Sequence, residues 1–395
     1  MARRIIEEEL HRKSVFIDAS KLLPDYIPPT LVHREKELRW LAQVFRPLLQ
    51  NKASQKASIT GNIGVGKTVL SLKFGSELEG LAKERGLALD FMYINCRTER
   101  RAHPICAKLA QHYNPRWPYT SLGPEKLLEM VFAYLTAHDR YLLLVLDEAD
   151  YFVQLNGPDL IYLLTRAGEK SGEKSRVGLI TISRDQSFLY RLDAPTRSTF
   201  LHNVLNLPNY TPKQLEDIMN KRIPDAFRPG AVDPETVALI AEIAGRSGNA
   251  RFALELLWKA GLIADRDGED TVLPEHAREA KADVYPEIKK EVLDELELHE
   301  KLILLGVARR MKTTRQAYLI MGDVEKSYHV ACEEYGEEPL SHTKLWERLK
   351  RLEGLGLVGL KLSGPGQRGR TTKVSVPDVP VAWLEKELVV RLKGK

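Results

Sequence analysis

Between positions 57 and 207 the chain alternates short, wholly apolar runs with longer stretches whose apolar residues recur every three or four positions. The runs are ASIT at 57–60, LDFMYIN at 89–95, YLLLVLD at 141–147, VGLITIS at 177–183 and NVLNL at 203–207. Runs that are apolar at nearly every position suit strands buried on both faces. The stretches between them suit crossover helices, so the segment predicts a parallel sheet with helices on its faces. A helix is expected at 33–49 ahead of it and another at 69–85 within it. The polar and then Pro-rich residues 1–30 fit an arm laid along the surface.

Pro208, Tyr210, Thr211 and Pro212 end the alternation. Beyond them the periodicity is helical only, at about 211–222, 234–245, 248–265 and 274–281. Thr211-Pro212 and Asp233-Pro234 each read as an N-cap followed by proline at the first helical position. A charged stretch at 287–295 leads to a third pattern. Helices at about 296–311, 322–335 and 341–354 precede two strands, LVGLKLS and TKVSV, joined by GPGQRGRT. That is the order of a winged helix. The expected organisation is an α/β domain at 1–207 carrying the N-terminal arm, an all-helical domain at 208–286 and a winged-helix domain at 287–395.

Composition agrees with several folded domains: 395 residues, 43% apolar and 29% charged. The net charge of +5 says little, but its distribution says more. Residues 321–340 hold one Lys against six acids, whereas 341–375 hold eight Lys and Arg against two Glu. So local a basic block points to a polyanion-binding face. Cys96, Cys106 and Cys332 form no CxxC pair, which fits a reducing compartment without a thiol zinc site. No apolar stretch has the length of a membrane span or of a signal core, so a cytoplasmic, nucleoid-associated protein with no membrane partner is expected.

The strongest chemical signal is Gly61-Asn62-Ile63-Gly64-Val65-Gly66-Lys67-Thr68, which fits GxxxxGK[ST] between a predicted strand and a predicted helix. Gly61, Gly64 and Gly66 let backbone N–H groups turn inward on phosphate oxygens, and the helix N-terminus adds a favourable dipole. Lys67 supplies a charge between the terminal phosphates, and the Thr68 hydroxyl is a Mg²⁺ ligand. Eighty residues after Lys67, the strand at 141–147 ends in Asp147-Glu148. Asp147 is expected in the Mg²⁺ shell, and Glu148 is expected to orient the attacking water. Asp150 is left as a salt-bridge partner.

The third domain carries the polyanion chemistry. Leu345, Leu349, Leu352 and Leu355 recur at helical spacing and are expected to bury one face of its third helix. His342, Thr343, Lys344, Arg348, Lys350 and Arg351 then fall on other faces, suited to a DNA major groove. Trp346 reads as a core or interface residue ahead of a base-stacking one. Arg368, Arg370 and Lys373 in and beside the glycine-rich hairpin suit phosphates or a minor groove. A solvated hairpin, or a protein-binding wing, is the alternative. Arg116 and Trp117 lie in a loop bounded by Pro115 and Pro118; a DNA contact there is implied by the family resemblance that the segments below carry. A rigid loop packing Trp117 into the fold is the equal alternative.

Four more segments complete the set: Pro29-Thr30-Leu31-Val32-His33-Arg34-Glu35, Leu192-Asp193-Ala194-Pro195-Thr196-Arg197, Gly248-Asn249-Ala250-Arg251 and Leu298-His299-Glu300-Lys301. With the phosphate loop and the acidic strand end, the chain resembles AAA-type ATPases. More narrowly, it is similar to the archaeal origin-recognition initiators, relatives of the eukaryotic origin recognition complex and its helicase-loading partner. The resemblance spans about 24–377. It implies a P-loop AAA+ domain with a helical lid and a C-terminal winged helix, and ATP or ADP with Mg²⁺ as ligands. His33, Arg34, Asn62, Val65, Val69 and Tyr210 are then expected beside the nucleotide. Arg251 resembles the lid arginine that senses the γ-phosphate, and Arg197 the arginine that acts on a neighbouring subunit's nucleotide. The implied function is an ATP-regulated initiator that recognises replication origins in double-stranded DNA and assists helicase loading, with the replicative helicase and paralogous initiators as partners. A transcription regulator acting through its winged helix is the alternative; a non-hydrolysing DNA-binding paralogue is another. Two positions depart from the pattern: Arg184 stands where an Asn is usual, which bears on hydrolysis, and Asn249 where Asp is usual.

Overall fold

The computed structural model describes residues 13–166, 175–284, 290–362, 371–377 and 379–393. The chain divides into two compact units, one of residues 27–210 and one that joins the segment before Ile27 to everything from Thr211 onward.

The first unit holds α1 (Glu35–Asn51), β1 (Lys56–Thr60), α2 (Lys67–Glu84), β2 (Leu89–Asn95), α3 (Ala102–Tyr113), α4 (Pro124–Ala137) and β3 (Tyr141–Asp147). It continues through α5 (Ala149–Asn156), α6 (Asp159–Thr165), β4 (Val177–Ile182), α7 (Ala194–Leu201) and β5 (Val204–Asn206). The five strands form a parallel sheet in the order β2-β3-β4-β1-β5. Strand β3 explains its own composition. Leu142, Leu144 and Leu146 enter a core with Ile105, Leu127 and Phe152. Leu143 and Val145 enter the opposite core with Leu41, Phe45, Ile59 and Leu70. All seven residues of β3 are buried, which is why the run carries no alternation. Because the strands are parallel, β1 and β3 deliver Gly61 and Asp147 to the same edge of the sheet.

The second unit begins with residues the sequence assigned to the α/β domain. The arm packs on helices here: the Phe16 and Phe227 rings stack at 4.7 Å, and Asp265 Oδ1 accepts Val15 N at 2.6 Å. Val15 and Leu22 are fully buried apolar anchors in an otherwise polar stretch. Four helices follow, α8 (Pro212–Ala226), α9 (Pro234–Gly245), α10 (Ala250–Asp267) and α11 (Pro274–Val284). Thr211 caps α8 with a capping box completed by Gln214, and Asp233 caps α9 through Glu235 N.

A short helix, α12 (Lys290–Asp294), leads to α13 (Leu298–Thr314), β6 (Tyr318–Ile320), α14 (Met321–Tyr335), α15 (His342–Gly354), β7 (Gly359–Leu362), β8 (Thr372–Ser375) and α16 (Val381–Lys393). The sheet has three antiparallel strands, β6-β8-β7, where the sequence predicted two. Leu345, Leu349 and Leu352 are fully buried, whereas Leu355 is 43% exposed because α15 ends at Gly354.

Polar side chains tie α9 and α11 to this sheet. Arg278 of α11 is 1% exposed and donates to the carbonyls of Val376 at 2.8 Å and Ala317 at 3.1 Å. Glu242 of α9 accepts from Tyr318 OH and Ser375 Oγ, each at 3.1 Å. Gly359 makes room for it, since a Cβ there would lie 2.4 Å from Glu242 Oε1.

Candidate functional site

The loop between β1 and α2 turns on three glycines with positive φ: 145° at Gly61, 76° at Gly64 and 90° at Gly66. Gly61 is doubly required, because a Cβ would come within 2.7 Å of the Leu207 carbonyl. Val65 is fully buried and anchors the loop in the core, while Asn62 Nδ2 reaches Asn209 Oδ1 at 2.9 Å. Lys67 folds back on the loop, its Nζ donating to Gly61 O at 2.5 Å and Asn62 O at 2.8 Å. Burial pushes its ammonium below the usual lysine range, against the pull of Asp147, Glu148 and Asp150. Val69 follows Thr68 in the first turn of α2. An open cleft of about 560 Å³ lies beside the loop, lined by Gly61, Asn62, Arg184, Asp185, Asn206 and Asn209 among others.

The acidic end of β3 closes on this loop. Thr68 Oγ1 donates to Asp147 Oδ2 at 2.6 Å, although the two residues are far apart in sequence. Asp147 is 5% exposed, and its Oδ1 accepts Glu148 N at 2.8 Å. Glu148 takes a left-handed conformation, φ 57°, and Arg97 Nε lies 2.9 Å from its Oε2. Asp150 Oδ2 accepts Arg184 N at 3.2 Å. The Arg184 carbonyl in turn accepts Gly61 N at 3.1 Å. Tyr93 and Arg97, which contact the two carboxylates, were not singled out from the sequence. Cys96, buried beside Asp147, has its thiol pushed up to about 12.

Arg34 is 3% exposed and is spent on the protein itself: it donates to Val65 O at 2.8 Å and Pro208 O at 3.2 Å and lies 4.0 Å over the Tyr210 ring. Arg34 and Tyr210 thus brace the loop from behind. His33, just before α1, has φ 60°. Arg197 lies on α7 with its guanidinium 5.7 Å from the Tyr190 ring, and Tyr190 is 69% exposed.

In the second unit Arg251 is exposed in the first turn of α10. Asn249 caps that helix, its Oδ1 accepting Phe252 N at 3.0 Å, so the departure from Asp keeps the capping bond. Thr343 and Lys344 are exposed at the start of α15. Arg348 is not on an open face: it pairs with Glu297 at 2.6 Å and with the fully buried Glu300 at 3.4 Å. Arg351 joins them, 2.5 Å from Glu297 and 3.1 Å from Glu300. Trp346 packs against the core of this domain, with Lys350 Nζ 5.3 Å from its ring. Lys373 Nζ sits 5.7 Å over the Tyr318 ring. Arg368 and Arg370 lie outside the described residues. In the first unit Arg116 is exposed, whereas Trp117 packs on the core and meets Tyr134 edge-on at 5.8 Å.

A parallel sheet that brings a GxxxxGKT loop against a DE strand end, followed by helices and a winged helix, defines an AAA-type ATPase with an appended winged-helix domain. Family models match in the same order: an AAA domain at 52–185, a Cdc6 AAA+ ATPase-type lid domain at 216–282 and a CDC6 C-terminal winged helix domain at 291–382. The chain is 36% identical to an ORC1-type DNA replication protein 2 of Sulfurisphaera tokodaii, covering 96% of this chain and 93% of that protein. It is 33% identical to the ORC1-type DNA replication protein 2 of Saccharolobus solfataricus, covering 100% and 99%. Among solved structures, Cdc6p from Pyrobaculum aerophilum superposes with a TM-score of 0.85 at 30% identity, covering 96% of this chain and 99% of that one. The Aeropyrum pernix ORC1 protein, solved in complex with DNA, gives 0.63 at 32% identity, covering 96% and 100%. The chain belongs to the archaeal ORC1/Cdc6 family of DNA replication initiators. Among the described residues, no helix is long and apolar enough to cross a membrane.

Proposed function

We propose that this chain is an ATP-regulated initiator that recognises replication origins in double-stranded DNA and assists loading of the replicative helicase. The observation that carries the reading is the contact of Thr68 with Asp147 in a chain that also presents Thr343 and Lys344 on the exposed start of a winged-helix α15. The DNA complex of the Aeropyrum pernix ORC1 protein supports the DNA half of it.

In this reading Gly61, Gly64 and Gly66 offer backbone N–H groups to the phosphates, and Lys67 Nζ exchanges its two carbonyl acceptors for phosphate oxygens. The oxygens of Thr68 and Asp147 fit a hard cation and would hold Mg²⁺, which when bound screens the charge of the terminal phosphates. Glu148 orients water and accepts its proton once Arg97 lets go of the carboxylate. Arg184 offers charge where a neutral amide would position water, so hydrolysis is slow and serves as a switch. Arg251 in the lid 208–286 senses the γ-phosphate, and Arg197 reaches a neighbouring subunit's nucleotide. In the winged-helix domain 287–395, Thr343, Lys344 and Lys373 approach DNA along with Arg368 and Arg370 of the hairpin; Arg116 adds a contact from the ATPase domain.

A footprint on chromosomal DNA with and without ATP tests the reading. Protection confined to replication-origin sequences and altered by ATP is expected. Protection of promoters in place of origins would replace it with the transcription-regulator reading.

A further inference from the structure

Strand β2 lies at one edge of the sheet, and helix α2 is locked to it at one residue. Glu79 Oε1 of α2 accepts Phe91 N at 2.8 Å, an amide on a strand that, among the described residues, is paired on one side only. Gly75 of α2 lies so close under the Phe91 ring that a Cβ would come within 2.1 Å of Cε2. These contacts fix the height and tilt of α2 against β2. Thr68 opens α2, and Tyr93 shares the face of β2 that carries Phe91, by the two-residue alternation of a strand. The parallel register, which pairs Tyr93 with Val145 and Asn95 with Asp147, then brings both hydroxyls to one place.

That place is a single atom. Asp147 Oδ2 accepts Thr68 Oγ1 at 2.6 Å and Tyr93 OH at 2.8 Å. Asp147 Oδ1 accepts Glu148 N at 2.8 Å. A carboxylate offers about four acceptor positions, so Oδ2 is filled and Oδ1 keeps one.

We infer that Tyr93 is a positioning residue for the divalent-cation site: with Thr68 it saturates Asp147 Oδ2 and leaves Oδ1 as the oxygen available to a cation or its water. The inference rests on the nucleotide and Mg²⁺ reading above. Outer-shell donors of this kind fix the orientation of a ligand that one rotatable bond would otherwise blur.

The test uses the full chain, ADP, and Mn²⁺ as a paramagnetic probe whose free concentration is read by electron spin resonance. Tyr93→Phe keeps the ring and removes only the hydroxyl. It is expected to weaken Mn²⁺ binding to the ADP-bound protein by about tenfold, with ADP affinity in EDTA equal to the parent's. Asp147→Ala is expected to lose the Mn²⁺ site. If Asp147→Ala loses the site and Tyr93→Phe binds Mn²⁺ as the parent does, the inference fails and the nucleotide reading stands. If Asp147→Ala also binds Mn²⁺ as the parent does, the cation reading itself fails and takes Tyr93 with it. An equal loss of ADP affinity in EDTA for Tyr93→Phe would make Tyr93 a support of the fold, and the inference would again be wrong.

Discussion

Arg278 Nε donates to the Val376 carbonyl at 2.8 Å, joining the last helix of the lid to the end of the winged-helix sheet through a guanidinium that is 1% exposed. Burial pushes that guanidinium below its usual range, and the Glu275 carboxylate at 3.1 Å works against the shift. A buried charge held by carbonyls of a second domain ties the junction to this packing, since parting the two would leave the guanidinium without those acceptors.

Arg278→Ala is therefore expected to be severe. It strands the buried Val376 and Ala317 carbonyls and takes the partner from Glu275 Oε2, while Glu275 Oε1 keeps Val381 N, at a cost of about 2–4 kcal/mol. Gly359→Ala tests the same junction more gently. Its Cβ would displace the end of the Glu242 side chain and its bonds to Tyr318 and Ser375, a loss of about 1–2 kcal/mol. Urea denaturation would measure both, and a neutral Gly359→Ala would show that Glu242 contributes nothing there.

His276, 6% exposed at the start of α11, gives a pH dependence. Its Nδ1 accepts Leu273 N at 3.0 Å, and burial holds the ring below its usual range despite nearby Asp267, Glu269 and Glu279. Between that lowered value and about 6.5 the unfolded chain carries a proton that the folded one lacks. Stability from this group is thus complete above about pH 6.5 and falls below it, by at most about 1.4 kcal/mol per pH unit. Denaturation at pH 7.5 and 5.5 should show a smaller drop for His276→Asn than for the parent. An identical drop would mean that the folded ring protonates freely.

The elements that a one-dimensional pattern specifies were legible. Strand β3 is apolar throughout because its alternate residues feed two cores, and the glycines of the phosphate loop stand where φ is positive. Strand β6 was not: Tyr318–Ile320 is too short for an alternation to declare itself. Helix α16 carries Val381, Leu384, Leu388 and Leu392 at helical spacing, so its periodicity was present and passed over. Tyr93 and Arg97 were invisible for a different reason, since their partners Asp147 and Glu148 meet them only through the β2–β3 register. Arg348 reads as an open charge until α13 brings Glu297 and Glu300 against it. Which charges are spent internally is a tertiary fact.

Removing single groups from the phosphate site should separate binding from turnover. Lys67→Ala deletes the charge expected on the terminal phosphates and should weaken ATP binding by about 2–4 kcal/mol. Glu148→Gln keeps the shape and loses the basic oxygen, so ATP should stay bound while hydrolysis stops. Filter binding and single-turnover assays would report each. Parent-like hydrolysis by Glu148→Gln would remove Glu148 from its role.

On α15 the exposed Lys344 and the ion-paired Arg348 should part company. Lys344→Ala removes a cation open to a phosphate, so DNA affinity should fall on every duplex and the log–log salt slope should flatten by about one. Arg348→Ala acts inside the protein. Arg348 and Arg351 together hold the Glu297 carboxylate below its usual range, and they flank Glu300, which is 0% exposed. Losing Arg348 leaves the buried Glu300 with Arg351 and the Glu297 N–H as partners, so the winged-helix domain should lose about 1–2 kcal/mol. Its salt slope on DNA should stay that of the parent. Titrations on origin and scrambled duplexes at several salt concentrations, beside urea denaturation of the same variants, distinguish the two. If Arg348→Ala keeps full stability and loses only its preference for origin sequence, then the guanidinium leaves Glu297 on binding and reads a base, and the internal role assigned to it is wrong.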